Sequence, residues 1–293
     1  MSVIVNFSPE LRTWILHNLD RGCAAQDLVD SMIAQKFEPG IAQEMIAAFS
    51  RARREGLEPP NDAIEIETDL DEYRYETPKL APDSVIRTVD RDIPVLLRLE
   101  RPVIALLENV FSAAECDELI ALARPRLRPS TVVDPVTGVD KIAEHRDSEG
   151  MFFALNETPF IAKLDWRISE LMNCPVENGE GLQVLRYGKL AKNTPHFDFL
   201  QPSNQKNRDS LARSGQRIST LVVYLNTVES GGETVFPELG LAVSAKQGNA
   251  VYFEYGNSLR QVDPKSVHAG APVYAGEKWA VTKWMRERRF IPA

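Results

Sequence analysis

The chain has 293 residues, is 43% hydrophobic and 26% charged, and carries a net charge of -8. That length allows one large domain plus a small one, with the composition of an ordinary soluble protein. The acidic balance disfavours generic binding to nucleic acid, no apolar run approaches the ~20 residues of a membrane span, and the start MSVIVNFSPE lacks the basic-then-apolar pattern of a secretory signal.

Residues 1–57 read as a small all-α region of three short helices. Ser8 can cap the first, Pro9 opens it and Gly22 follows its end. Leu11, Trp14, Ile15 and Leu19 share one face. Leu28, Met32 and Phe37 mark a second helix, and Ile41, Met45, Ile46 and Phe49 a third. Stripes of this kind are core, so a structural appendage is expected rather than a catalytic unit. Two roles stay open for it: recruiting substrate, or pairing two chains into a homodimer.

Residues 58–100 read as an acidic linker. Pro59, Pro60, Pro78, Pro82 and Pro94 punctuate it, and Glu65, Glu67, Asp69, Asp71 and Glu72 crowd together. Such a stretch is expected to be extended or partly ordered chain. A docked acidic arm is the alternative. Cys23, Cys116 and Cys174 are scattered and lack metal-binding spacing, so free thiols in a reducing cytoplasm are expected.

The pattern changes over 101–293. PVIALLENVF is strand-like, and Ser112 to Glu115 forms a capping box before Leu119, Ile120 and Ala123. A helix follows Pro159, with Phe160, Ile161, Leu164, Ile168 and Leu171 at helical spacing. After Gly181 strands dominate: GLQVLRY, ISTLVVYLN, NAVYFEY and KWAVTKW. The fold class is therefore α+β, an antiparallel sandwich or barrel with helices on one side.

Within TPHFDFL, His196 and Asp198 are two apart, which in a strand puts both on one face. Two ionisable groups in an apolar run need compensation. A hydrogen-bonded pair would supply it, and so would a divalent metal. His268, in DPKSVHAG, is a third donor if a later strand runs alongside. Two histidines and one carboxylate make the facial triad of non-haem Fe(II) oxygenases. Lys278 in GEKWAVTKW alternates onto one face with Ala280, Thr282 and Trp284. A lysine facing an interior needs an anion, and a dicarboxylate held by the metal would provide it; otherwise Lys278 lies on a sheet edge.

The segment from about Pro102 onward resembles the 2-oxoglutarate- and Fe(II)-dependent dioxygenases of the prolyl 4-hydroxylase type. RDSEGMFF, EGLQVLRYG, TPHFDFL, SGQRISTLVVYLNTVESGGETVFP, VDPKSVHAG and GEKWAVTKW carry the resemblance. It implies a double-stranded β-helix, or jelly roll, with flanking helices. It implies Fe(II) on His196, Asp198 and His268, with Lys278 holding the far carboxylate of 2-oxoglutarate. Tyr187 would donate to that cosubstrate, Thr234 would line its pocket and Trp284 would wall it. Arg146, Ser148, Glu180 and Arg217 match positions that touch or shape a peptide channel. O2 and ascorbate are the further cofactors implied. The activity implied is hydroxylation by a procollagen-proline 4-dioxygenase-like enzyme, on a peptide or protein containing proline. Competing readings are a hydroxylase of a free amino acid or another peptidyl residue, and a jelly roll that binds peptide or metal without turnover.

The chain departs from the family at Asn193 and Arg286, where tyrosine and histidine are common, and at Asp147, where threonine is usual. Asp198 itself argues for hydroxylation, since related halogenases lack that carboxylate. The polar stretch 200–217 reads as a long loop, either a lid over substrate or a surface loop.

Overall fold

The computed structural model describes residues 2–35, 37, 39–67, 73–129, 131–133, 140–142 and 148–292. The chain forms two compact units, Met1–Glu72 and Tyr73–Ala293.

In the first unit the three expected helices form: α1 (Pro9–Asp20), α2 (Ala25–Ala34) and α3 (Pro39–Glu55). The Ser8 hydroxyl accepts the Leu11 amide at 3.3 Å, as an N-cap should. Ile15, Met32, Met45, Ile46 and Phe49 are buried together. The unit is not all-α, however. Strand β1 (Ser2–Asn6) pairs antiparallel with β2 (Ala63–Glu67), from Ser2 opposite Glu67 to Asn6 opposite Ala63. AIEIE alternates with period two, and Ile64 is buried in this core. Charge density masked a strand that the alternation would have revealed. Asp69, Asp71 and Glu72 lie outside the described residues.

The second unit begins inside the stretch read as linker. Strands β3 (Val85–Arg87) and β4 (Asp92–Glu100) belong to its main sheet. Leu80, Ile86 and Ile93 are buried in its core. Asp90 binds the fully buried Arg167 at 2.5 Å, and Arg167 also grips Glu115 at 2.7 Å. Pro94 does not prevent pairing, because the bond to the β3 side is made by the Val95 amide, which donates to the Ser84 carbonyl at 2.9 Å, while the Pro94 carbonyl accepts the Glu108 amide at 2.9 Å.

The chain continues with β5 (Val103–Leu107), α4 (Ala113–Ala123), β6 (Arg128–Pro129), β7 (Thr131–Val133), β8 (Asp140–Ile142) and β9 (Ser148–Phe153). Then come α5 (Pro159–Leu171), β10 (Leu182–Tyr187), β11 (Asn193–His196), α6 (Gln205–Ser214) and β12 (Arg217–Tyr224). The last strands are β13 (Ser230–Gly231), β14 (Thr234–Phe236), β15 (Leu241–Val243), β16 (Ala250–Glu254), β17 (His268–Gly270), β18 (Val273–Ala275) and β19 (Lys278–Arg286). The main sheet runs β3-β4-β5-β16-β12-β19-β10-β9-β6, and a smaller one runs β11-β17-β14-β15. Helices α4 and α5 contribute Cys116, Leu119, Ile161, Leu164 and Ile168 to the core that includes Leu182, Val184, Leu221 and Val281 of the main sheet. The capping box forms at Ser112 and Glu115. This is the expected α+β jelly roll with flanking helices.

The polar stretch after the metal-type motif is not a loop throughout. It contains α6, whose N-cap Asn204 accepts the Asn207 amide at 2.9 Å. No described helix is long and apolar enough to cross a membrane.

Candidate metal centre and pocket

The nine-stranded and four-stranded sheets of the second unit line a pocket that is partly open to solvent. Its walls come from β10, β12 and β19 of the main sheet and β11, β14 and β17 of the small one. His196, Asp198, His268, Tyr187, Thr234, Lys278 and Trp284 all line it. The strand period explains why: Leu185 and Tyr187, or Lys278, Ala280, Thr282 and Trp284, fall on one face at intervals of two.

His196 and His268 are direct cross-strand partners on β11 and β17, with ring centroids 4.3 Å apart. Asp198 lies just past the end of β11, with Oδ1 3.7 Å from His196 Nε2 and Oδ2 3.6 Å from His268 Nε2. One ligand atom from each of the three falls within 4.8 Å of the others. His196 Nδ1 lies 2.9 Å from the Thr194 carbonyl, and His268 Nδ1 lies 3.1 Å from the Ser266 carbonyl. A carbonyl only accepts, so both Nδ1 atoms carry the proton and each Nε2 presents its lone pair to the centre. Two imidazole nitrogens and one carboxylate, converging with the tautomer set from behind, fit a divalent iron. Asp198 and His268 are buried, whereas the His196 side chain is 35% exposed and marks the accessible side.

Asp198 is supported by residues that sequence reasoning missed. The Thr220 hydroxyl donates to its Oδ2 at 2.8 Å and in turn accepts from the Tyr255 hydroxyl at 2.9 Å. Burial pushes the Asp198 carboxyl upward, but His268, His196, Arg217 and Thr220 outweigh it and hold it below the usual value.

Lys278 is 5% exposed, and among the described residues no carboxylate stands within ion-pair distance of its ammonium. It sits over the rings of Tyr224 and Tyr187, at 5.4 and 5.7 Å. Burial pushes its pKa down to about 8, with only the charge of Glu233 opposing. A buried cation with no anion at hand fits one carboxylate of a dicarboxylate ligand. Tyr224, another missed residue, donates its hydroxyl to Thr234 at 2.8 Å, which leaves the Thr234 proton free to donate in turn.

Of the four residues expected to touch or shape a peptide channel, three are described. Ser148 is buried on β9, in register with Tyr187, but does not line the pocket. Arg217 and Glu180 do not line it either. They form a bidentate pair, at 2.7 and 2.8 Å, behind Trp284. The Arg217 guanidinium lies 3.9 Å over the Trp284 ring and donates to the Asp198 carbonyl at 3.2 Å. Burial alone would raise the Glu180 carboxyl, but Arg217 and Arg286 hold it below its usual value. Arg146 lies outside the described residues. Asn193, Gln183 and Thr282 line the pocket without having been singled out as site residues.

Comparison with known proteins agrees with this geometry. A family model described as the 2OG-Fe(II) oxygenase superfamily matches residues 182–286. Prolyl 4-hydroxylase 5 of Arabidopsis thaliana is 39% identical over 209 residues, spanning 64% of this chain and 70% of that protein. Prolyl 4-hydroxylase subunit alpha-1 of Homo sapiens is 35% identical over 189 residues, spanning 64% of this chain and 35% of that protein. A crystal structure of the viral collagen prolyl hydroxylase of Paramecium Bursaria Chlorella virus-1, in complex with 2OG, is 28% identical with a TM-score of 0.49, covering 62% of this chain and 95% of that one.

Proposed function

Because this chain belongs to the 2-oxoglutarate- and Fe(II)-dependent dioxygenases of the prolyl 4-hydroxylase type, we propose that it hydroxylates proline within a peptide or protein. One observation carries the reading: three convergent ligand atoms within 4.8 Å share a pocket with a buried lysine that has no ion-paired carboxylate among the described residues. His196, Asp198 and His268 would hold the iron. Lys278 would neutralise the distal carboxylate of 2-oxoglutarate, with Tyr187 and Thr234 donating hydroxyl protons to it. Fe(II), with 2-oxoglutarate and O2, would supply the oxidising power to insert one oxygen atom into an unactivated C–H bond, giving succinate and CO2 as co-products. The protein contributes orientation, holding the metal ligands and the lysine on facing walls of one pocket. Trp284, backed by Arg217 and Glu180, forms the wall next to Asp198.

The assignment of proline as substrate is supported by the names of the relatives above. Ascorbate as reductant belongs to the same proposal. So does a cytoplasmic setting, supported by three free thiols, two of them buried. Pairing of two chains through the N-terminal unit is proposed as well, and sedimentation of the full chain as a monomer would sink it. The substrate is tested by offering a proline-rich peptide, the same peptide with proline replaced by alanine, and free proline. Oxygen added only to the first supports the reading. Oxidation of free proline in preference, or of the alanine peptide equally, overturns it.

A further inference from the structure

Glu180 is one carboxylate shared by two guanidiniums, the buried Arg286 and the partly buried Arg217. Arg217 takes it in bidentate fashion, and Arg286 Nη1 donates to its Oε1 at 3.0 Å. Arg286 is 1% exposed. Its Nη2 donates to the Ser210 carbonyl at 2.9 Å, the Ser210 hydroxyl at 3.1 Å and the Gly215 carbonyl at 2.6 Å. One buried side chain thus links the carboxylate behind the pocket wall to the last turn of α6.

Helix α6 has little apolar anchorage. Its sequence is QKNRDSLARS, and Ser214 is its only buried residue. What fastens its C-terminal end is hydrogen bonding from arginines to its backbone carbonyls: Arg286 as above, and Arg288 Nη2 to the Leu211 and Ala212 carbonyls at 3.1 and 2.9 Å. The excursion also closes on the metal-ligand segment. The Gln216 side chain pairs with both the amide and the carbonyl of Leu200, and Arg217 holds the Asp198 carbonyl. A buried ion cluster of this kind is poor value as stability alone, so its use is more naturally geometric.

We infer that Arg286 is a positioning residue that couples the seating of α6 to the Arg217–Trp284 wall beside Asp198, so that substrate at the wall and docked α6 favour each other. Such coupling is reciprocal: loosening either end must loosen the other. The substrate half of this inference rests on the hydroxylase reading above, but the mechanical half does not.

The test is amide hydrogen exchange on the full chain, comparing wild type with Glu180→Gln and Arg286→Lys. Glu180 reaches α6 by hydrogen bonds through Arg286 and along the chain through Arg217, and Arg286→Lys leaves the second route in place. Several-fold faster exchange across 207–214 in both variants, with α5 unchanged as the folding control, is the expected result. Unchanged α6 exchange in both overturns the coupling. In turnover, Arg286→Lys is expected to raise the KM for a proline-rich peptide about fivefold, leaving kcat and the KM for 2-oxoglutarate within twofold. A peptide KM at the wild-type value alongside faster α6 exchange overturns the link to substrate. A wild type that oxidises no proline peptide defeats the hydroxylase reading instead, and the exchange experiment still decides the coupling.

Discussion

The buried charge of Lys278 gives the site a pH signature. Its free-state pKa is pushed down to about 8 by burial. A bound carboxylate favours the ammonium form and raises that value. Binding therefore needs the protonated lysine, which is already present well below pH 8 and must be formed above it. The affinity for 2-oxoglutarate is expected to be flat in the acidic range and to fall toward roughly tenfold per pH unit above about 8. Lys278→Met removes a charge-assisted hydrogen bond worth roughly 1.5–3 kcal/mol, so affinity should drop at least tenfold and lose its pH slope. An unaltered slope in that variant would refute the assignment. At Asp198, Thr220→Val removes the hydroxyl that orients the carboxylate, and Fe(II) affinity is expected to fall roughly tenfold or more, with Thr220→Ser retaining it. Equal iron binding in Val and Ser variants would contradict this. Lys278 was legible in the sequence because strand alternation fixes which residues share a face; His196 and Asp198 were legible from their spacing, although Asp198 lies past the end of β11 and not on a strand face shared with His196. Thr220, Tyr224 and Arg286 were not, because their roles depend on which strands become neighbours, and alternation along one strand carries no such information.

Among the elements, those with their own local signals were legible. Ser112 and Glu115 form the reciprocal box that the sequence announces, so Ser112→Ala should lower unfolding free energy by about 1 kcal/mol and leave 2-oxoglutarate binding unchanged. A thermal melt beside a binding titration checks both halves, and a change in binding would mean that α4 bears on the pocket. Strands β10, β12, β16 and β19 were legible from apolar runs bounded by turns. Helix α6 was hidden because a helix held by arginines on its terminal carbonyls needs no apolar stripe of its own. Strand β2 was hidden by the opposite error, since glutamates at alternate positions look like linker composition until the isoleucines between them are counted.

For the whole molecule, the two separate cores place the division at Glu72 and Tyr73 rather than near Arg101. Composition set the expected boundary, and composition does not report that β3 and β4 complete a sheet or that Asp90 neutralises Arg167. A chain of residues 73–293 is therefore expected to unfold cooperatively and to keep 2-oxoglutarate binding. A chain starting at residue 101 loses two strands and one of the two carboxylates that hold a buried arginine, and is expected to be markedly less stable or insoluble. Equal melting of the two would contradict the architecture described here.

The most direct test of the central claim is succinate formation coupled to oxidation of a proline-rich peptide, with Fe(II), 2-oxoglutarate, O2 and ascorbate, for wild type beside Asp198→Ala. The account requires one oxygen atom added to the peptide for each succinate in the wild type, and neither product in the variant, which should also fail to retain iron. Iron-loaded wild type that yields no succinate, or an Asp198→Ala protein that turns over at the wild-type rate, would contradict it.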